Sequence, residues 1–207
     1  MDHSKKTAAI KTANALDYAV VIGRFQPVHC GHVALLRAAL HTAPKVVVVV
    51  GSVGVPRSPK NPFTLEERVQ MLRAALPEDA DRIHVAGVEN HPDDTVWVSR
   101  VQAVVDGVVT TDGASAAAAR VALVGHAKDA STYYLELFAH WQFVPFANVA
   151  GLDGTSIRNS YFTRNPDPDP LWLQPGVLPA STRDYLEQFR HTRHWLDVCR
   201  QREESLA

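Results

Sequence analysis

The sequence has few cysteines and no long apolar run, and both absences narrow the class of protein. Only two cysteines occur among 207 residues, Cys30 and Cys199, and they do not form a CxxC pair. A disulfide-stabilised scaffold is therefore excluded, and a reducing compartment such as the cytoplasm is expected. The polar N-terminus lacks the apolar segment of a signal peptide, and the valine run 46–50 is too short to span a bilayer. We expect a soluble, cytoplasmic protein without a membrane partner.

The chain also lacks an excess of charge of either sign. Its 21 Lys and Arg residues nearly balance 22 Asp and Glu residues. A nucleic-acid polymer is normally bound by a strongly basic surface, so we expect no such partner. An anionic ligand would have to be bound by a few cations and backbone N–H groups. The length suits one α/β domain with its own core.

Alternating apolar segments predict an α/β fold. Short β-branched runs that end at glycine are typical of buried parallel strands, and stretches with apolar residues at helical spacing separate them. The fold class that this order indicates is a Rossmann-like parallel sheet with helices on both faces and a C-terminal helical extension. Strands are predicted over 18–22, 46–50, 82–85, 121–124 and 142–145, and helices over 32–40, 65–76, 96–109, 132–139, 155–162 and 182–203.

Changes in composition divide the chain into three parts. Residues 1–16 are small, polar and weakly patterned, and we interpret them as an N-terminal extension. Residues 17–163 contain the alternating strands and helices. Residues 164–207 begin with a proline-rich linker, in which each proline removes a backbone donor and restricts the residue before it. A C-terminal amphipathic helix follows the linker.

The segment that follows the first strand has the properties of a phosphate site. Gly23-Arg24-Phe25-Gln26-Pro27-Val28-His29-Cys30-Gly31-His32 joins that strand to a helix. Ligands of open α/β sheets bind beyond the carboxyl ends of the strands, and a helix N-terminus offers N–H groups to phosphate. Gly23 and Gly31 allow close approach of the backbone. The imidazoles of His29 and His32 can face one phosphate, to which Arg24 adds a fork-shaped cation.

Two histidines alone have other interpretations. The pair could be a chance surface feature or part of a metal site, but zinc needs further ligands, and Cys30 is the one obvious candidate. Cys30 at a helix start could have a lowered pKa, yet nothing near it indicates thiol chemistry. No GxxxxGK[ST] loop or full dinucleotide fingerprint occurs. We predict no protein-held metal and interpret His29 and His32 as hydrogen-bond donors.

With its flanking strand and helix, the segment resembles the His-x-Gly-His signature of the nucleotidyltransferase superfamily. Lys60-Asn61-Pro62-Phe63-Thr64-x-x-Glu67-Arg68 resembles the nicotinamide-nucleotide adenylyltransferases of the archaeal type, and also the adenylyltransferase half of bacterial enzymes that carry a Nudix hydrolase domain. Gly125-His126-x-Lys128-Asp129 resembles the second branch. The resemblance covers about 17–162, and implies that 17–163 is the nucleotidyltransferase domain. No Nudix box is visible downstream.

The resemblance implies a role for each matching residue. Gly154-Thr155-Ser156-Ile157-Arg158 is similar to the family's Ser-x-Thr-x-Ile-Arg motif for ATP phosphates, with Asp153 where a serine is usual. The implied catalytic residues are His29, His32 and Arg158. The implied ATP-binding residues are Gly23, Arg24, Phe25, Gly31, His32, Gly125, Thr155 and Arg158. The implied substrate-binding residues are Arg24, Arg57, Asp94, Trp97, Lys128 and Asp129.

Asp93-Asp94-x-x-Trp97 corresponds to the family's segment beside the nicotinamide ring. Trp97 could stack its indole on the cationic ring, or it could be a core residue of an amphipathic helix. Asp93 stands where the family has asparagine. Lys60, like Arg57, is a loop cation that could bind the substrate phosphate or remain solvated.

The implied reaction transfers AMP from ATP to nicotinamide mononucleotide and gives NAD and pyrophosphate. The attacking 5′-phosphate has a second pKa of about 6 and is mostly ionised at neutral pH, so no general base is required. Mg²⁺ would bridge the polyphosphate. The alternatives are transfer of an adenylyl or cytidylyl group to nicotinic acid mononucleotide, phosphopantetheine or another acceptor, and a nucleotide-binding regulator without catalysis. The oligomeric state, a homo-oligomer included, stays open.

Overall fold

A five-stranded parallel sheet forms the centre of the protein. The computed structural model describes residues 15–126, 137–147, 151–165 and 167–206. The strand order is β3-β2-β1-β4-β5, and every neighbouring pair is parallel. The carboxyl ends of the strands therefore lie at one edge. All predicted strands are confirmed, as β1 (Tyr18–Gly23), β2 (Lys45–Val50), β3 (Ile83–Gly87), β4 (Val121–Gly125) and β5 (Gln142–Pro145).

The helices follow the predicted order with shifted ends. Within the described residues they are α1 (Cys30–Thr42), α2 (Leu65–Ala75), α3 (Asp94–Thr111), α4 (Gly154–Tyr161), α5 (Ala180–Phe189) and α6 (Arg193–Glu204). Short 3-10 helices cover Pro77–Arg82 and Leu171–Leu173. The helix predicted over 132–139 falls largely outside the described residues, and its last part, 137–139, is not α-helical.

The start of α2 shows the predicted capping box. The Thr64 hydroxyl accepts from the backbone N–H of Glu67 at 3.4 Å, and the Glu67 carboxylate accepts from the backbone N–H of Thr64 at 2.7 Å. This reciprocal pair satisfies two donors at the helix start. It fixes the direction in which the proline-rich loop 54–62 enters α2.

The single C-terminal helix predicted over 182–203 is wrong, because two helices occupy that range. Thr192 separates α5 from α6: its hydroxyl donates to the carbonyl of Phe189 at 2.7 Å and accepts from the N–H of Trp195 at 3.2 Å. A threonine that caps a helix in this way stops the preceding helix and starts the next. The apolar pattern continues across the break, so periodicity alone does not reveal it.

Both faces of the sheet are buried, as the predicted fold requires. Alternate residues of β1 point to opposite sides, with Ala19 and Val21 in one apolar cluster and Tyr18 and Val20 in the other. The second cluster contains the buried valines of α3. Helices α1, α2 and α4 contribute to the first cluster, together with the C-terminal helices.

The C-terminal segment packs on the same core as the sheet. Leu186 is fully buried in the first cluster, and its carbonyl accepts from the Tyr161 hydroxyl at 2.6 Å. The Arg190 guanidinium lies between two indoles, 5.6 Å from the ring centre of Trp172 and 5.5 Å from that of Trp195. The hydrogen bond joins α5 to α4, and Arg190 joins the end of α5 to α6 and to the 3-10 helix Leu171–Leu173. Within the described residues, no helix has the length and apolar character to cross a membrane.

Candidate active site

A cleft of about 660 Å³ opens at the carboxyl edge of the sheet. Its walls come from the loops that follow β1, β2 and β3 and from the first turn of α3. This is the position in which open parallel sheets bind their ligands. The side chains and backbone that line it include Gly23, Arg24, Gly51, Ser52, Lys60, Asn61, Asn90, His91, Asp94 and Trp97.

The two signature histidines lie together at the start of α1. Their rings stack with centroids 3.6 Å apart, and Phe25 packs on His32 with centroids 4.6 Å apart. The backbone N–H of His29 donates to Nδ1 of His32 at 3.3 Å. Since Nδ1 accepts in this geometry, the neutral ring of His32 carries its proton on Nε2. Nε2 is therefore the nitrogen through which the neutral ring can donate a hydrogen bond.

Gly31 allows the histidines to lie this close to the backbone. A Cβ atom at position 31 would be 3.1 Å from both Cε1 and Nδ1 of His29. Even alanine would therefore press on the ring of His29, a residue that is only 6% exposed. The glycine of the signature has a packing reason as well as the predicted close approach to the ligand.

Arg24 contributes an unpaired cationic donor to the site. The residue follows β1 and lines the cleft, and its Nη1 atom is buried without a hydrogen-bond partner among the described residues. A buried N–H group that lacks an acceptor destabilises the protein by about 1–3 kcal/mol, and more when it is charged. An anionic ligand would supply the missing acceptor.

Arg158 lies beneath the site and bonds to protein oxygens. Its guanidinium donates to the carbonyls of Gln26 at 2.7 Å and Pro59 at 3.1 Å, and to the Thr155 hydroxyl at 3.0 Å. Burial, together with the nearby charge of Arg24, lowers the pKa of Arg158 to about 10. The group stays charged at neutral pH. It connects α4 to the β1 loop and the proline-rich loop.

Asp153 caps α4. Its carboxylate accepts from the N–H groups of Thr155 and Ser156, both at 2.9 Å. Partial burial acts to raise the pKa of Asp153, but the backbone hydrogen bonds and the charge of Arg158 outweigh it and hold the pKa below its usual range. Two N–H groups at this helix start are therefore occupied by a carboxylate rather than open to phosphate.

Arg57, in the proline-rich loop, contacts both α2 and α5. It forms a bidentate pair with Glu67 at 2.6 and 2.8 Å, and its guanidinium lies 5.6 Å from the ring centre of Phe189. It does not line the cleft described above. Its predicted contact with substrate stays a prediction, as do those of Lys128 and Asp129, which lie outside the described residues.

Trp97 packs against the second apolar cluster and also lines the cleft; its predicted stacking on the nicotinamide ring stays a prediction. Its ring meets Phe138 edge-on with centroids 5.9 Å apart, and the same residue lines the cleft together with Asp94. The neighbouring Asp93 caps α3, with its carboxylate accepting from the N–H groups of Thr95 at 2.8 Å and Val96 at 3.3 Å. Asp93 therefore stabilises the N-terminus of α3.

Sequence reasoning missed a polar pair in the cleft wall. The backbone N–H of Ser52 donates to the Asn90 side-chain oxygen at 3.2 Å, and the Asn90 amide donates to the Ser52 hydroxyl at 2.9 Å. Ser52 has a positive φ of 53°. The only available signal was position, because both residues lie shortly after strands. Among the described residues, no group of three or more His, Cys, Asp or Glu side chains could hold a metal ion.

The parallel sheet, with paired histidines and a buried arginine at its carboxyl edge, defines a nucleotide-binding α/β protein. The cytidylyltransferase-like family model matches residues 20–160. The nicotinamide/nicotinic acid mononucleotide adenylyltransferase of Acinetobacter baylyi is 36% identical over 176 residues, which are 84% of this chain and 87% of that protein. The chain belongs to the cytidylyltransferase-like family, in the branch of the mononucleotide adenylyltransferases.

Two further similarities each cover about half of the matching protein. The nicotinamide-nucleotide adenylyltransferase of Methanolobus tindarius is 45% identical over 84 residues, 40% of this chain and 48% of that one. A bifunctional NMN adenylyltransferase/ADP ribose pyrophosphatase from Francisella tularensis, solved with AMP and a manganese ion, has a TM-score of 0.77 at 24% identity. The match covers 92% of this chain and 54% of the Francisella chain. At this identity it shows the fold.

Proposed function

We propose that this chain transfers AMP from ATP to nicotinamide mononucleotide, which gives NAD and pyrophosphate. The observation that carries the proposal is the buried, unpaired Nη1 atom of Arg24 in a cleft at the carboxyl edge. The histidine stack follows it at the start of α1. His29 and His32 are not among the residues that line this cleft, but the loop that contains Arg24 leads directly to them. A cation in the cleft next to this histidine pair suits a polyphosphate, and membership of the mononucleotide adenylyltransferase branch supports the assignment.

The chemistry requires positioning more than proton transfer. A 5′-phosphate oxygen of the mononucleotide attacks the α-phosphorus of ATP, a new P–O bond forms, and the bond to pyrophosphate breaks. We assign His29 and His32 to donate hydrogen bonds to phosphate oxygens, and Arg24 to neutralise charge on them. Such donors lower the barrier by stabilising charge that develops in the transition state. Arg158 acts through the loops that it connects.

The pyridine end of the substrate fits the part of the cleft beside α3. Trp97 lines this part of the cleft, where its indole can stack on the cationic ring, a contact worth about 0.5–2 kcal/mol. Asp94, one turn earlier on the same helix, adds a carboxylate beside that face. Lys60 and Asn61 line the cleft from the proline-rich loop, where Lys60 can reach the substrate phosphate.

We further propose that Mg²⁺ enters with ATP. The described residues offer no cluster of carboxylates or histidines for an ion, and Mg²⁺ characteristically binds substrate phosphates while it keeps several waters. The ion would neutralise the departing pyrophosphate. Removal of divalent ions with EDTA should abolish turnover, and excess Mg²⁺ should restore it. Full activity in EDTA would contradict this assignment.

The deciding experiment is a coupled assay of pyrophosphate release from ATP with one acceptor at a time. Nicotinamide mononucleotide should support turnover and yield NAD. The acidic mononucleotide is the main competitor, because the name of the Acinetobacter relative includes both acceptors. Turnover with phosphopantetheine alone, or from CTP alone, would overturn the proposed substrate. Tight ATP binding in calorimetry without pyrophosphate release would favour a regulator.

A further inference from the structure

Arg68 is a buried charged residue to which the sequence gives no role. It lies on α2 and is 1% exposed. Its guanidinium donates to the carbonyl of Arg24 at 3.0 Å, to that of Gly51 at 2.7 Å and to that of Ser52 at 3.4 Å. A fourth bond, at 3.0 Å, goes to the carbonyl of Thr64 at its own helix start. The first three acceptors belong to residues that line the cleft.

The carbonyls that Arg68 binds lie in the loops that leave β1 and β2. A carbonyl oxygen carries partial negative charge, and near a polyphosphate it would repel the ligand. The guanidinium holds these oxygens on the side of α2. Five N–H donors in a fixed fork suit several acceptors at once, which a lysine ammonium cannot reproduce. Burial lowers the pKa of Arg68 to about 10, so its charge persists at neutral pH.

The same two loops contain strained backbone. Phe25 and Ser52 both have φ of 53°, in the left-handed region that residues with a side chain seldom adopt. Phe25 directly follows Arg24, whose carbonyl Arg68 binds. The N–Cα and Cα–C bonds of Ser52 lie between the carbonyls of Gly51 and Ser52, which Arg68 also binds. Strained residues persist when the surrounding structure holds them. The Arg68 side chain bonds to both segments.

We propose that Arg68 is a positioning residue for adenylyl transfer: it fixes the loops after β1 and β2 in the conformation that presents Arg24 and Ser52 to the ligand. It touches no substrate itself. The proposal rests on the proposed function for its kinetic readout, but binding of ATP alone tests it separately.

Two variants and one control test the proposal. Arg68→Met keeps much of the side-chain volume and removes every donor, whereas Arg68→Lys keeps the charge and loses the fork. Arg73→Met, on the exposed face of the same helix, is the control. The measurements are kcat, KM for each substrate, the Kd of ATP by calorimetry, and Tm.

Positioning predicts a change in both KM and kcat. Misplacement of a binding group by about 1 Å can reduce the rate by about 10²-fold. We expect kcat/KM to fall by about that factor in Arg68→Lys, with a raised KM and an ATP Kd at least about tenfold weaker. A role in folding alone would reduce the active fraction, which lowers kcat and leaves KM and Kd unchanged. Arg73→Met should match the wild type.

The outcomes separate this proposal from the proposed function. If Arg68→Met does not fold, the KM values and the ATP Kd of folded Arg68→Lys decide whether Arg68 is a positioning residue. An unchanged KM and ATP Kd in the folded variant would overturn the positioning role. If the wild type releases no pyrophosphate with either mononucleotide, the proposed function fails, and the ATP Kd of the variants still tests Arg68.

Discussion

At the scale of single residues, the signature histidines depend on their neighbours for geometry. Gly31 leaves room for His29, and Phe25 packs on His32. We expect His32→Ala to reduce kcat by about 10²–10³-fold, because one donor to the transition state is lost. Steady-state kinetics and circular dichroism would check this. His41→Ala, in the last turn of the same helix, is the control, and an active, folded His32→Ala protein would refute the role of His32 as a donor.

Asp153 places a negative charge at the helix start that the resemblance assigns to ATP phosphates. Asparagine can also cap a helix, so Asp153→Asn should keep α4 while it removes the charge. We expect KM for ATP to fall about three- to tenfold, in keeping with the removal of one nearby like charge. Asp93→Asn, the matched cap of α3, should leave that KM unchanged. An unchanged KM in Asp153→Asn would place the triphosphate elsewhere.

The acid behaviour of Asp153 follows from its lowered pKa. A carboxylate whose folded-state pKa lies below its unfolded value of about 3.9 stabilises the protein above that pH. The contribution disappears as pH falls through the folded-state pKa. Between pH 5 and 8 the charge is constant, so the effect of Asp153→Asn on KM for ATP should not vary with pH across that range, as KM measurements at several pH values would show.

Site residues were predictable where a motif places them in order along the chain. Arg24, His29 and His32 form one segment, so sequence brings them together. Ser52 and Asn90 are 38 positions apart and meet only because β2 and β3 end side by side. The hydrogen bonds of Arg158 to the carbonyls of Gln26 and Pro59 were likewise invisible, since these residues are 132 and 99 positions away in the sequence.

At the scale of elements, the C-terminal helices act as part of the core. Leu186 on α5 is fully buried, and Leu186→Ala should lower the free energy of unfolding by about 2–5 kcal/mol. Leu196 on α6 is 50% exposed, so Leu196→Ala should change it by less than about 0.5 kcal/mol. Denaturant titration would measure both. Equal effects would show that α5 does not pack as described.

Element type was predictable because β1 and β2 contain short β-branched runs and the longer helices repeat their apolar residues. The ends of the helices were harder to predict. The prediction started α1 at residue 32, two residues after its start at Cys30, because Cys30 and Gly31 do not belong to the apolar periodic pattern of the helix. The break before α6 depends on the hydroxyl of Thr192, and a threonine within a helical pattern gives no clear stop.

At the scale of the whole molecule, strand order decides where the site lies. The order β3-β2-β1-β4-β5 is one of several that parallel strands with right-handed crossovers allow, and no residue pattern states which strand is central. The division into 1–16, 17–163 and 164–207 and the cytoplasmic location stay proposals, and the oligomeric state stays open.

Substrates should stabilise the folded chain. A ligand that binds only the folded state adds about 2.7 kcal/mol at 100 times its Kd, which raises Tm by several degrees in a protein of this size. ATP with Mg²⁺ should produce this shift in a thermal scan. Arg24→Met should abolish most of it, because the unpaired donor is gone. A full shift in that variant would show that Arg24 does not contact the nucleotide.

The four tryptophans of the chain divide between the two faces of the sheet. Trp172 and Trp195 enclose Arg190 on the side of α5 and α6, whereas Trp97 and Trp141 both pack on Phe138 on the other side. Replacing either pair with phenylalanine leaves the emission of the other pair. The variant without Trp172 and Trp195 would then report ligand entry beside Trp97 by its fluorescence. The variant without Trp97 and Trp141 would report melting of the C-terminal helices.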